Sequence, residues 1–170
     1  DRIYTSFPDT DIRGKTSAPR FTGNPIRRSI ARADTATDKA TDGQRPFTVL
    51  ILGGSQGAHA INRAVTEALE HLRDSGNFFF IHQSGAQDEE AVKRSYRQAG
   101  VRAQVASFID DMAGCYRSSD LAVCRAGAST IAEIAAAGLP AILVPYPYAA
   151  DNHQFFNAKC LADLGAAEMI

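Results

Sequence analysis

The chain has no surplus of charge of either sign, no paired cysteines and no long apolar run, and each absence removes a class of function. Its 18 basic and 19 acidic residues leave a formal net charge of -1, so no overall field draws it onto nucleic acid or an anionic membrane. Cys115, Cys124 and Cys160 are widely spaced and form no C-x-x-C pair. That pattern argues against a disulfide framework or a zinc site and fits a reducing cytosol. His59, His71, His82 and His153 show no H-x-x-x-H or other metal spacing, and the first three read as structural. No stretch reaches the roughly 18 uninterrupted apolar residues that a membrane helix needs. The opening DRIYTSFPDTD has neither the basic nor the apolar region of a secretory leader. There is no initiating methionine, and Ala166-Ala167-Glu168-Met169-Ile170 reads as a strand in mid-course, so the chain is expected to be a piece of a longer protein.

What is present suits one core: 170 residues, 45% hydrophobic and 22% charged. Residues 1–45 are rich in Thr, Ser, Asp, Arg, Gly and Pro, with one compact mark at Thr22-Gly23-Asn24-Pro25-Ile26-Arg27. They read as an interdomain segment whose end, from Ala31 to Arg45, is a solvated linker or the frayed end of a short helix. From Phe47 onward short β-rich runs alternate with helical periodicity. Strands are expected at 47–52, 78–82, 102–106, 121–124 and 141–144. Helices are expected at about 58–72, 88–98, 110–117, 129–137 and 152–164, the last two closed by Gly138 and Gly165. Strict βα alternation with short connections predicts an α/β fold, a doubly wound parallel sheet of Rossmann type, over residues 46–170. Ligands of such sheets meet the carboxyl ends of the strands, which singles out the loops after Leu52, Ala106, Cys124 and Val144.

The first of these, Gly53-Gly54-Ser55-Gln56-Gly57-Ala58, puts three glycines and a hydroxyl where the chain turns into a helix. Glycine permits close backbone approach and helix-start amides favour an anion, so a phosphate fits; a tight packing turn fits too. The string is neither G-x-G-x-x-G nor G-x-x-x-x-G-K-[ST], which removes the main support for NAD or P-loop readings. It does match G-x-S-x-G, so a Ser55 hydrolase is a rival, with Asp151 and His153 as late but closely spaced triad candidates. The loop Arg125-Ala126-Gly127-Ala128-Ser129-Thr130 also leads small residues into a helix, and two such loops could grip a diphosphate from both sides. Glu133, one turn on, could accept bonds from a ribose diol; Thr130-x-x-Glu133 is equally a capping box with Thr130 as N-cap. In Ser107-Phe108-Ile109-Asp110-Asp111-Met112 the main chain suits the edge of a planar base, one aspartate capping a helix and the other facing water. The loop from Pro145 to Gln154 is dense in groups that suit sugar hydroxyls, or is a Pro-stiffened connection with Asp151 or Asn152 as N-cap.

Taken in order, Thr22–Arg27, Gly53–Ala58, His82-Gln83-Ser84-Gly85, Phe108–Met112, Cys124–Ala128 and Glu133-Ile134-Ala135-Ala136-Ala137-Gly138-Leu139-Pro140 resemble the MurG family of UDP-N-acetylglucosamine:lipid I transferases. The resemblance covers most of residues 20–170 and implies the C-terminal, donor-binding half of a two-domain GT-B glycosyltransferase, truncated at its own C-terminus. It implies UDP-N-acetylglucosamine as donor, with Ile109 main chain on the uracil, Glu133 on the ribose, and Ser55 with Ala128, Ser129 and Thr130 on the diphosphate. The following Ile131 and Ala132 belong to the same helix start, Gly53, Gly54, Gln56 and Gly57 support the phosphate loop, Gln154 meets the sugar and Arg27 lies near the nucleotide. It implies neither metal nor cofactor, a lipid I acceptor held by an N-terminal domain that also carries the general base, and no catalytic residue in this chain. The full enzyme would sit in the cytoplasm, peripheral on the inner face of the plasma membrane. Two rivals stay open: a related transferase acting on diacylglycerol or a dolichol-linked sugar, and a non-catalytic nucleotide-sugar-binding module.

Overall fold

The computed structural model describes residues 2–7, 10, 18–31, 45–53, 58–72 and 77–170. Six strands form one parallel sheet: β3 (Phe47–Leu52), β4 (Phe78–Gln83), β5 (Ala103–Ala106), β6 (Leu121–Cys124), β7 (Ala141–Leu143) and β8 (Ala167–Met169). Between them run α2 (His59–Leu72), α3 (Glu89–Ala99), α4 (Met112–Ser118), α5 (Ala128–Ala137) and α6 (His153–Ala162). Ahead of the sheet, β1 (Tyr4–Thr5) pairs with β2 (Arg20–Phe21), and a single helical turn, α1 (Arg28–Ala31), follows. Each expected strand and helix from Phe47 onward is present, with ends displaced by at most two residues, and the closing segment does form the edge strand β8.

The spatial order is β5-β4-β3-β6-β7-β8. The chain moves outward from β3 to β5, then returns to lay β6 against the other side of β3, with Val49 opposite Leu121 and Leu52 opposite Cys124. This reversal is a topological switch point, and it opens a crevice beyond the carboxyl ends of β3 and β6.

Alternation along β3 explains why the sheet is covered twice. Leu50 and Leu52 pack on one face with Ile30, Met112, Ile134 and Leu161, whereas Val49 and Ile51 pack on the other with Ile61, Leu69, Val92 and Tyr96. Helices α2 and α3 therefore cover one face, and α4, α5 and α6 the other. Ile30, only 2% exposed, ties α1 into the second group. Helix α5 stops where Gly138 takes φ 60°, a left-handed cap whose N–H returns to Ala135. Among the described residues every buried side-chain nitrogen and oxygen has a hydrogen-bond partner, and no helix is long and apolar enough to cross a membrane.

Candidate functional site

A cavity of about 900 Å³ occupies the switch point. Its base is the end of β3 (Leu52, Gly53) and the end of β6 (Cys124, Arg125). On one side stands the start of α2, with Ala58 and His59; on the other the start of α5, with Gly127, Ser129 and Thr130. Gly53 and Gly127 thus border a common space because β3 and β6 are neighbours. Gly54, Ser55, Gln56 and Gly57 lie outside the described residues.

The start of α5 is chemically open. Gly127 is the N-cap, with extended backbone and no side chain to offer, and the first helical bond there is Ile131 N–H to the Gly127 carbonyl, 2.9 Å. The amides of Ala128, Ser129 and Thr130 precede that bond, so the helix leaves them for another acceptor, with the positive end of its dipole behind them. This overturns the capping-box reading: Thr130 is the third residue of the helix rather than its N-cap, and Glu133 does not close back on it. Ile131 is buried, so its side chain faces the domain core, and Ala132 is half-buried.

Glu133 points to the other wall. It is 7% exposed; Oε2 accepts from the Tyr116 hydroxyl at 3.1 Å, and Oε1 meets Arg27 Nε at 3.2 Å. Burial, and then the adjacent carboxylate, push the Tyr116 phenol well above its ordinary range, so it stays a donor. Each carboxylate oxygen keeps a free lone-pair direction for a further donor. Arg27, brought in by the segment ahead of α1, borders the same cavity.

Above Glu133 the loop after β5 is fixed by Gln83, whose Oε1 accepts from Ile109 N–H at 3.0 Å. Of the two Ile109 main-chain groups expected to meet a base, the N–H is therefore taken by the protein, which leaves the carbonyl. Asp111 caps α4, accepting from Gly114 N–H at 2.9 Å, while Asp110 is exposed, the division of roles expected for that pair. At the far end of the cavity Arg125 donates to the Val144 and Pro145 carbonyls at 3.0 and 3.1 Å and lies 5.5 Å from the Tyr146 ring centre. It bolts the loop after β7 to the loop after β6, and burial lowers its pKa.

Gln154 also borders the cavity, with Oε1 accepting from Tyr146 N–H at 2.9 Å, so its amide NH2 is the end left for a ligand. The turn ahead of α6 differs from the expected capped start. Ala150–Asn152 forms a 3-10 turn, Asp151 and Asn152 take φ 50° and 53°, and neither caps the helix with its side chain. His153 Nδ1 lies 2.7 Å from the Ala150 carbonyl rather than against a carboxylate, which leaves the hydrolase triad unassembled. His82 is structural as expected: fully buried, with desolvation pushing it down to about 4, so the ring is neutral. His59 is exposed at the cavity's edge, with Nδ1 3.0 Å from the Asp88 carboxylate.

Residues 48–170 match the glycosyltransferase family 28 C-terminal domain. The chain belongs to that family. Curated relatives are similar along the whole chain. A Lawsonia intracellularis protein named UDP-N-acetylglucosamine--N-acetylmuramyl-(pentapeptide) pyrophosphoryl-undecaprenol N-acetylglucosamine transferase is 48% identical over 172 residues, covering 100% of this chain and 47% of its own length. A protein of the same name from Thiobacillus denitrificans is 42% identical over 177 residues, covering 100% of this chain and 48% of itself. The chain thus spans about half the length of the curated relatives it matches. Among solved structures, Acinetobacter baumannii MurG superposes with TM-score 0.82 at 37% identity, over 98% of this chain and 46% of that one. A glycosyltransferase of kitacinnamycin, 22% identical with TM-score 0.61 over 89% of this chain and 36% of its own, shares the fold.

Of the family 28 residues expected at the site, Arg27, Gly53, Ile109, Ser129, Thr130, Glu133 and Gln154 border the one cavity. Tyr116, Gln83 and Arg125 were not foreseen. Gln83 and Arg125 sit inside the quoted motifs, at the ends of β4 and β6, where a polar residue closing a buried strand is itself a signal. Tyr116, four residues after Met112 on the apolar face of α4, gave none.

Proposed function

We propose that this chain is the donor-binding domain, residues 46–170, of an inverting glycosyltransferase that moves N-acetylglucosamine from UDP to the C4 hydroxyl of lipid I, giving lipid II for peptidoglycan, with residues 1–45 joining it to an acceptor domain. The reading rests on the names of the similar proteins and, physically, on one observation: the uncapped start of α5 borders the same cavity as Gly53 at the end of β3 and His59 at the start of α2.

In this reading the diphosphate lies between the two helix starts, held by the amides of Ala128, Ser129 and Thr130 and by the Gly53–Gly57 turn with the Ser55 hydroxyl. When the acceptor hydroxyl attacks C1 and UDP departs, negative charge grows on the β-phosphate. Preorganised amides backed by a helix dipole stabilise that charge without rearranging at the moment of reaction. Glu133, oriented by Tyr116 and Arg27, accepts from the ribose hydroxyls; the Ile109 carbonyl meets the uracil edge; the Gln154 amide NH2 reaches the sugar. No cofactor enters this scheme, and the general base and lipid-binding surface belong to the acceptor domain, which places the whole enzyme at the inner face of the plasma membrane. The test is twofold. The isolated chain should bind UDP-N-acetylglucosamine calorimetrically without turning it over, and adding the N-terminal half of a family relative should restore transfer to lipid I. Failure to bind the donor would refute the reading; transfer only to diacylglycerol or a dolichol-linked sugar would change the acceptor.

A further inference from the structure

Asp88 occupies the N-cap position of α3, yet its carboxylate makes no capping bond to that helix. It turns the other way. Oδ2 accepts from Asn62 Nδ2 at 2.7 Å, and the two oxygens lie 3.0 and 3.1 Å from His59 Nδ1. Asn62 is itself anchored, 2% exposed, giving its other amide hydrogen to the Ser84 carbonyl at 2.8 Å. Its Oδ1 must then accept from His82 Nε2, 3.0 Å away, and the Tyr96 hydroxyl donates to His82 Nδ1 at 3.1 Å. Every proton in this line is assigned by the bonds, and it leads from the buried core to one ring at the edge of the cavity.

The line ends on His59, the first residue of α2, whose side chain is 81% exposed. An aspartate that forgoes its own helix cap to hold an exposed ring fixes that ring's direction. With Nδ1–H given to Asp88, the opposite edge, Nε2, is the only polar atom the ring has for a ligand. A neutral ring would present a lone pair there, which an anion repels; a proton on Nε2 makes the ring a cation shared between carboxylate and ligand. The other charged groups bordering the cavity are Arg27 and Glu133, paired with each other, and Arg125, committed to two carbonyls.

We propose that His59 is a binding residue for the terminal phosphate of a nucleoside diphosphate, donating through Nε2–H as an imidazolium, and that Asp88 is the residue that positions it. This rests on the donor-domain reading above and adds to it a side-chain cation on the α2 side, opposite the amides of α5. Calorimetry on the 170-residue chain with UDP and UMP tests it, comparing the native chain with His59→Ala, His59→Arg and Asp88→Asn.

His59→Ala should weaken UDP about tenfold, the loss of one charge-assisted hydrogen bond at a partly solvated site, while UMP changes less than about twofold. His59→Arg should return UDP to within about threefold of native, and Asp88→Asn should weaken UDP about threefold without affecting UMP. The ring is exposed, so the two His59 variants should melt with the native chain, and a merely structural role would not separate the two nucleotides. If the native chain binds neither nucleotide, the donor-domain reading itself fails. If it binds UDP, but His59→Ala leaves UDP unchanged or weakens UDP and UMP alike, the role of His59 is overturned and the donor reading stands.

Discussion

Replacing Glu133 by glutamine separates the two functions that the structure gives this carboxylate. The side chain is 7% exposed, accepts from Tyr116 and meets Arg27 at 3.2 Å. Glutamine keeps the volume and an oxygen for the Tyr116 hydroxyl, so the buried phenol is not orphaned. The Arg27 contact is lost, but Arg27's side chain is 54% exposed, and such a pair contributes about 0–1 kcal/mol. The stability penalty should therefore stay near 1 kcal/mol. Affinity responds differently: a hydrogen bond to a charged acceptor is worth about 1 kcal/mol more than one to a neutral acceptor. A ribose offers two hydroxyls, so UDP should bind weaker by about 2 kcal/mol, roughly 30-fold. The assay is calorimetry with UDP and with 2′,3′-dideoxy-UDP beside a thermal melt. The native chain should prefer UDP strongly, and Glu133→Gln should lose most of that preference. An unchanged preference in the variant would refute the ribose contact and leave Glu133 a structural anchor for Tyr116 and Arg27. Glu133→Ala is the less informative change, since it also strips a buried hydroxyl of its acceptor.

Ser129→Asp places a negative charge at the open start of α5; urea unfolding should show a gain of about 0.3–1 kcal/mol, while UDP affinity falls at least about tenfold. UDP affinity unchanged by the added charge would mean the helix start is not the anion site. Tyr116→Phe removes a buried donor from the Glu133 carboxylate and should cost about 1.5–3 kcal/mol in the same measurement. His82 sits at about 4 in the folded chain against an ordinary 6.5, so between those values the unfolded chain binds more protons and stability falls as pH drops. At pH 5 the loss from this group is about 2 kcal/mol; in His82→Gln the difference in unfolding free energy between pH 7 and pH 5 should shrink accordingly, and an unchanged difference would contradict the assignment. Ile134→Ala, at a side chain 1% exposed beneath the site, should cost about 2–5 kcal/mol without altering the relative affinities of UDP and UMP.

Much of the fold was legible because hydrophobic patterning dictates it. Phe47–Leu52 has apolar residues on both faces, as only a strand covered twice requires, and the spacing from Gly53 to Leu72 admits just one helix before the next strand. Strand order was not legible, since nothing in β4, β5 or β6 says which of them borders β3 on its second side; that follows from packing all the helices at once. At the site the Gly127 turn could be read, because small residues ahead of a helix have a local cause. The role of Glu133 could not be decided, because the capping box and the cavity wall use the same residue types at the same spacing. Only the register of α5 separates them: with Gly127 as N-cap, Thr130 is already inside the helix. Likewise the Ile109 main chain was foreseen as a ligand contact, but its partner Gln83 is 26 positions away in sequence.

The amides at the start of α5 carry the central claim, and a titration of the 15N-labelled chain with UDP, followed by amide resonances, tests them directly. Ala128, Ser129 and Thr130 should move downfield together and saturate at one dissociation constant, with UMP producing smaller shifts at the same positions. Shifts that avoid the start of α5, or that are equal for UDP and UMP there, would contradict the account.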